Sequence, residues 1–527
     1  MKNIKYLLIL LLFLPFSCIE NESRYGGTAI DEIKIEGIEK HREIELGSKL
    51  EVKPVITTKF GDKSDLTYIW YKYNQEQSVE DTLSHEKNLS VIINDVIPGV
   101  STTLVLKVTD NRTGIFALNR STFVTLGKYS GGTLILCLVN GEKELYMLKK
   151  DGTTLYENIY ASANEGGKLG NDSKEIILTN SHVRNPLGHK SVIVTCKDAN
   201  GGVYLDPSTM VKKNTMREKF AMSEDLPATL DITGYTVSSE SDFLFVDGLV
   251  YNRPNGESEK VDWNPALVVL SAPTDYSVAR YTAHPTSYPF YGIPIFFDNL
   301  NGRFMFNNRS GYFSFFSGSG HDFSKFDPNA LGKGVQMIAS GSMNSSLDEV
   351  WALMKNEKGY FIITYKFVYE GYTYSFVSLS RTELSQAQYP GLYQGSCFIP
   401  GTKPKVDNYI PWDIEAKGAS DLFFYLSSDD VYVFNVKNLS EGVLLHGATE
   451  NYTFTGLDCT EVPAPTEENP NATYVQLTVA VKDRQLTSKS GGIATYRLNH
   501  IGGISAQRIY AKTGFCDEVL YTVEKLD

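Results

Sequence analysis

Short runs of alternating apolar and polar residues dominate the chain from residue 28 onward. Residues 28–127 contain Ile33-Lys-Ile35, Leu50-Glu-Val52, Leu66-Thr-Tyr68-Ile-Trp70, Leu89-Ser-Val91 and Leu104-Val-Leu-Lys-Val108. A period of two, broken by turn residues, predicts a β-sandwich of about 100 residues. From 128 to 527 a longer unit recurs: an apolar run, a polar turn, then a second run carrying a tyrosine. Leu134–Leu138 turns at Asn140-Gly141, Val192–Cys196 at Asn200-Gly201, and Phe243–Val246 at Asp247-Gly248. Arg303–Phe306 is expected to turn at Asn307-Asn308, Val350–Leu353 near Gly359, and Leu422–Leu426 at Asp429-Asp430. Val475–Val479 runs through a longer loop into Ile493–Tyr496. The marker tyrosines 146, 204, 251, 312, 360, 432 and 496 recur about every 58 residues. Asn-Gly and Asp-Gly favour two-residue hairpins, because both turn positions need positive φ. Seven such hairpins, with room for two more strands each, predict an all-β chain ending in a β-propeller of about seven blades. The tail runs Gln507–Tyr510 and Val519–Val523 are expected to close the ring beside the first hairpin. A pair of sandwich or jelly-roll domains is the alternative. Helical composition is confined to Met210–Glu224 and Arg381–Gln388.

The first residues carry a different pattern. Lys2 and Lys5 precede the apolar run Tyr6–Leu14, followed by Pro15-Phe16-Ser17-Cys18. This is the build of a secretory signal over residues 1–17, too short to cross a bilayer. Ending on Ser17-Cys18, it resembles the lipobox of bacterial lipoproteins, in which the cysteine is acylated. Pro15 and Phe16 depart from the usual motif. Residues 18–27, with Glu20 and Glu22 and ending Gly26-Gly27, read as a tether. Acidic residues just after the cysteine resemble the surface-export tag of Bacteroidota lipoproteins. The resemblance implies that Cys18 holds the chain in the outer membrane, exposed at the cell surface.

The formal net charge of −12 lacks the basic footprint that duplex nucleic acid requires. Besides Cys18, five cysteines remain, an odd number without CxxC spacing. Neither a disulfide framework nor a zinc knuckle is expected; buried positions within strands are. No HExxH, Gly-x-Ser-x-Gly or phosphate-binding loop occurs, so no catalytic residue, metal site or cofactor is assigned. His321-Asp322, after the flexible Ser317–Gly320, is the most unusual local pair and could serve general-base work, though such a pair is more often a loop with polar caps. The better lead is aromatic. Tyr288 and Tyr291, Tyr393, and Tyr409 with Trp412 stand among Pro and Gly in stretches that do not alternate. Rings in loops give contact area for a glycan or peptide at low entropic cost; covering the edges of the blades is the competing use.

The strand around Trp70 and the later Leu104-Val-Leu-Lys-Val-Thr-Asp110 resemble the PKD-type immunoglobulin-like sandwich. No cysteine pair flanks Trp70, so an antibody-type domain is disfavoured. Lipobox, sandwich and propeller-like region together resemble the PKD-like lipoproteins of Bacteroidota. That resemblance implies an accessory of a nutrient-uptake system, partnered by a TonB-dependent transporter and a SusD-like lipoprotein. It carries over no catalytic residue; only Cys18 transfers by motif. An extracellular glycan hydrolase or lyase, or a subunit for adhesion or assembly, are the alternative functions.

Overall fold

The computed structural model describes residues 32–525 except 60–64, 75–78, 95, 97–100, 181–188, 238–240, 255–261, 283–293, 308–310, 344–345, 371–372, 402–420, 464–472 and 500–503. The chain divides into two compact units, Met1–Thr125 and Leu126–Asp527.

In the first unit a five-stranded sheet runs in the order His41–Glu45, Phe116–Leu126, Ser101–Asp110, Leu66–Asn74, Val79–Ser84, the last four antiparallel one to the next. Two strand pairs accompany it, Lys34–Glu36 with Val55–Thr57 and Lys49–Val52 with Leu89–Ile92. The alternation seen in the sequence puts Leu104, Leu106, Val108 and Phe123 into one core with Leu50, Val52 and Leu89. Trp70 lies at its centre, fully buried. Its indole N–H, which would be costly to bury unpaired, donates to the carbonyls of Glu86 and Lys87 at 3.1 and 3.3 Å.

Among the described residues the second unit is a succession of seven antiparallel sheets and one short parallel pair, Val268–Val269 with Tyr312–Phe313. The second sheet runs Ser173–Asn180, His189–Cys196, Gly202–Leu205, Lys212–Thr215. The third runs Ile232–Val237, Ser241–Val246, Leu249–Pro254. In the fourth, Ile295–Asp298 pairs with Arg303–Phe306, and single bridges add Val278 on one side and Ser314 on the other. The fifth comprises Gln336–Met343, Ser346–Asn356, Gly359–Glu370 and Thr373–Leu384; the sixth Gly395–Pro400, Leu422–Ser427, Asp430–Asn435 and Ser440–His446. The seventh comprises Tyr452–Pro463, Thr473–Asp483, Gly491–Asn499 and Ser505–Cys516. The first sheet has Gly132–Val139, Glu142–Lys149 and Leu155–Tyr156, and takes its leading strand from the far end of the chain, Glu518–Lys525.

Packing follows from the middle strands being apolar on both faces. Leu134 and Leu136 of the first sheet meet Ile176, Val192 and Val194 of the second. Ile135 and Cys137, on the opposite face, meet Ala480, Ile493 and Phe515 of the seventh. Further cores join second to third sheet, third to fourth, fourth to fifth, fifth to sixth and sixth to seventh. A strand covered on both faces reads as a near-continuous apolar run, which is why Leu422–Ser427 is buried along its whole length. The leading strands adjoin as well: Glu518–Lys525 lies against Ser173–Asn180 and Tyr452–Pro463.

Several local expectations are corrected. Asn140-Gly141 and Asp247-Gly248 do form tight hairpins with positive φ at both positions. In the second sheet the positive φ falls instead on Gly201 and Gly202, because the Asp198 carboxylate accepts the N–H of Asn200 and Gly201 and widens the loop. In the fourth sheet a close hairpin also precedes Arg303, and Phe306 bridges antiparallel to Ser314 as expected. Gln507–Tyr510 belongs to the seventh sheet, so only Glu518–Lys525 joins the first. Arg381–Leu384 is the end of a strand, not a helix: eleven ladder positions with Gly359–Glu370 outweigh its helical composition. Met210–Glu224 holds a strand and two single 3-10 turns. The α-helices of the described residues, Ile159–Ala163, Pro390–Tyr393 and Gly447–Glu450, are all short.

Candidate functional site

Side chains from sheets that are not neighbours in sequence meet along the leading strands. The Arg280 guanidinium, two residues past the Val278 bridge of the fourth sheet, pairs with Glu175 of the second at 2.5 Å. The Tyr521 hydroxyl, from the closing strand of the first sheet, donates to the same Glu175 oxygen at 3.2 Å. Tyr281 donates to the carbonyl of Phe398 in the sixth sheet at 2.8 Å. Cys397 of the sixth and Asp458 of the seventh lie close enough to act electrostatically on Tyr281. Five of the seven sheets thus contribute to one polar centre. Contacts between the second, fourth and sixth sheets require the leading strands to converge.

The electrostatics of the centre are set by enclosure. Burial works against the Arg280 charge, but Glu175, then Tyr521 and Tyr281, more than offset it and raise its pKa. Its side chain is nonetheless 45% exposed, so it faces an opening rather than a packed core. Burial pushes the Tyr281 hydroxyl up to about 12, with Arg280 pulling partly back. Burial and then Glu175 raise Tyr521 much further. Burial raises the Cys397 thiol, while the Leu457 backbone and Arg280 act against the rise. At neutral pH the centre therefore presents a guanidinium and neutral hydroxyl and thiol groups beside the Glu175 and Asp458 carboxyl groups. That set can make hydrogen bonds to a ligand, and its hydroxyl and thiol groups are not activated as nucleophiles. Among the described residues no group of three or more His, Cys, Asp or Glu could hold a metal ion.

Sequence reasoning missed this centre because its members are about 350 residues apart at the extremes. Cys397 alone carried a signal, as one of the odd cysteines. It was expected to be buried in a strand, but it is exposed with φ of 52°, where the strand bulges between Ser396 and Ile399. The bulge turns its thiol out of the ladder. Cys137, Cys196, Cys459 and Cys516 are buried.

Of the aromatic candidates, Tyr288, Tyr291, Tyr409 and Trp412 lie outside the described residues, as does Cys18. Tyr393 is half-buried and packs edge-on against Tyr360 at 5.2 Å. Its hydroxyl donates to Leu384 O at 2.7 Å. The bare backbone of Gly359 gives that hydroxyl room, since a Cβ there would stand 2.1 Å from it. These contacts give Tyr393 a packing task between the fifth and sixth sheets. His321 is likewise occupied. Its Nδ1 accepts the Phe376 N–H at 2.9 Å, leaving Nε2 to donate to Ser317 O at 3.2 Å. Both backbone groups of Asp322 bridge to Phe376 and Ser378. The pair is a loop latch and not an acid–base couple.

Residues 18–172 match the sequence model of the PKD-like family. The match covers the described sandwich, runs on through the 132–156 strands of the second unit, and stops just before Ser173. No curated protein matches the chain. Among solved structures, a quinonprotein alcohol dehydrogenase-like protein from Bacteroides thetaiotaomicron VPI-5482 is similar, at 13% identity over 92% of this chain and 94% of that one, with a TM-score of 0.33. The extracellular domain of a protein assigned as a one-component system of B. thetaiotaomicron is similar at 10% identity, over 88% of this chain and 79% of that one, with a TM-score of 0.27.

Proposed function

We propose that this chain is a lipid-anchored binding protein of the outer-membrane surface whose second unit is a seven-bladed β-propeller. In this reading Cys18 carries the anchor and the ligand is a glycan or peptide. The ligand passes to a TonB-dependent transporter acting with a SusD-like lipoprotein. The propeller is supported by seven inter-sheet cores, the last joining seventh sheet to first. Binding rather than catalysis rests on one observation: the Arg280 centre is rigidly held, and its hydroxyl and thiol groups stay protonated at neutral pH.

The aromatic stretches fit the same picture. Tyr288 and Tyr291 fall between the first and second strands of the fourth blade, and Tyr409 and Trp412 between those of the sixth. Blades that repeat one meander send all such connections to the same end of the ring.

Two measurements test the proposal. Cys18→Ala should move the protein from the membrane to the soluble fraction; unchanged fractionation would overturn the anchor. Tyr409→Ala with Trp412→Ala should weaken glycan or peptide binding about tenfold by calorimetry, with melting temperature nearly unchanged. A large loss of melting temperature would show these rings to be core instead.

A further inference from the structure

Resting on the binding role just proposed, we infer that the Arg280 centre is a subsite for one uncharged sugar unit of a neutral glycan. Arg280 fixes the argument. Glu175 engages one Nη2 hydrogen, and no other hydrogen bond of Arg280 occurs among the described residues. The guanidinium is planar, held by a largely buried carboxylate and 45% exposed, so its remaining N–H donors keep a fixed fork geometry and are open to a ligand. Two parallel donors in that fork match two neighbouring oxygens of a ligand. Those oxygens can belong to a carboxylate or to adjacent hydroxyls.

Charge decides between them. The Arg280 charge is already met by Glu175. The buried Asp458 acts on Tyr281, Cys397 and Tyr521, raising each, so a further carboxylate borders the same space. An incoming anion would meet two carboxylates for one guanidinium, on a chain whose net charge is −12. A vicinal diol takes the same two donors without that repulsion.

Cys397 provides a reporter, being exposed beside the site while the other four described cysteines are buried. The experiment uses the full chain with Cys18→Ala. Neutral hexose oligosaccharides, their uronate counterparts and short neutral peptides are tested by calorimetry and for protection of Cys397 from alkylation by N-ethylmaleimide. The inference expects neutral oligosaccharides to bind, to slow alkylation of Cys397, and to lose at least about tenfold in affinity in Arg280→Met. Arg280→Lys, which keeps the charge beside Glu175 but not the fork, should lose nearly as much with an unchanged melting temperature. Neutral sugar binding that neither protects Cys397 nor depends on Arg280 overturns the subsite while leaving the binding role intact. Preference for uronates or for peptides overturns the sugar class assigned to it. Binding of none of the three overturns both readings. The protection assay needs no variant at Arg280, so it stands even if Arg280→Met fails to fold.

Discussion

Single residues divide into those that hold the fold and those left free by it. Trp70 fills the core of the first unit and satisfies its N–H within that unit. Trp70→Ala should cost about 3–5 kcal/mol, read as a shift of the first unit's urea transition in the intact chain. His321 is tied at both ring nitrogens, so His321→Ala should cost about 1 kcal/mol and speed hydrogen exchange at the Phe376 amide, with ligand binding unchanged. Glu524 is buried on the closing strand, accepting from Thr133 at 2.7 Å and from Gln476 at 3.2 Å. Burial raises its pKa above the ordinary 4.5, these donors and Lys150 offsetting part of the rise. A carboxyl whose folded pKa is raised binds its proton more tightly folded than unfolded. Its contribution to stability is therefore present at low pH and lost as pH climbs from 4.5 through the folded value. Glu524→Gln should flatten that fall in a series of melts from acid to neutral pH, and a profile parallel to the parent would refute the assignment.

Strands and hairpins were the most legible elements, since they depend on neighbours in sequence. Leu134–Leu138 and Phe243–Val246 announced themselves by apolar runs beside Asn-Gly and Asp-Gly. Six of the seven marker tyrosines sit in the third strand of their sheets, which is why they recur at a steady interval; Tyr312 lies instead in the short strand paired with Val268–Val269. What could not be read is what depends on partners far along the chain. The helical composition of Arg381–Gln388 was overruled by a ladder with residues 359–370. Arg280, Glu175 and Tyr521 share no local motif. Asp242 and Arg253 likewise belong to no local motif. They face each other across the third sheet, 2% and 1% exposed, with the guanidinium 4.3 Å from the Trp263 ring. Two contacts at 3.0 Å join the pair. Removing one partner leaves a buried charge, so Asp242→Ala should destabilise by about 3–5 kcal/mol. Replacing the pair together by apolar residues should cost much less; thermal melts of the single and double variants separate the two effects.

For the whole molecule the decisive element is Glu518–Lys525. It completes the first sheet, sends Val519 and Val523 into the cores on either side, and brings Tyr521 to the polar centre. Deleting residues 518–527 should open the seam between seventh and first sheets and abolish binding, with new protease cuts near residues 130–150 as the readout. The same strand sets the order of events when the chain is made. Thr133 and its partner Glu524 are 391 residues apart, and closure over such a distance is intrinsically slow. A chain emerging N-terminus first can build its sheets one after another as it appears. Until the last strand arrives, Gly132–Val139 keeps an unpaired apolar edge, the kind that other chains recruit into aggregates. The period between the emergence of residue 139 and that of residue 525 is thus a window of vulnerability, during which a holding chaperone has its target on the first sheet.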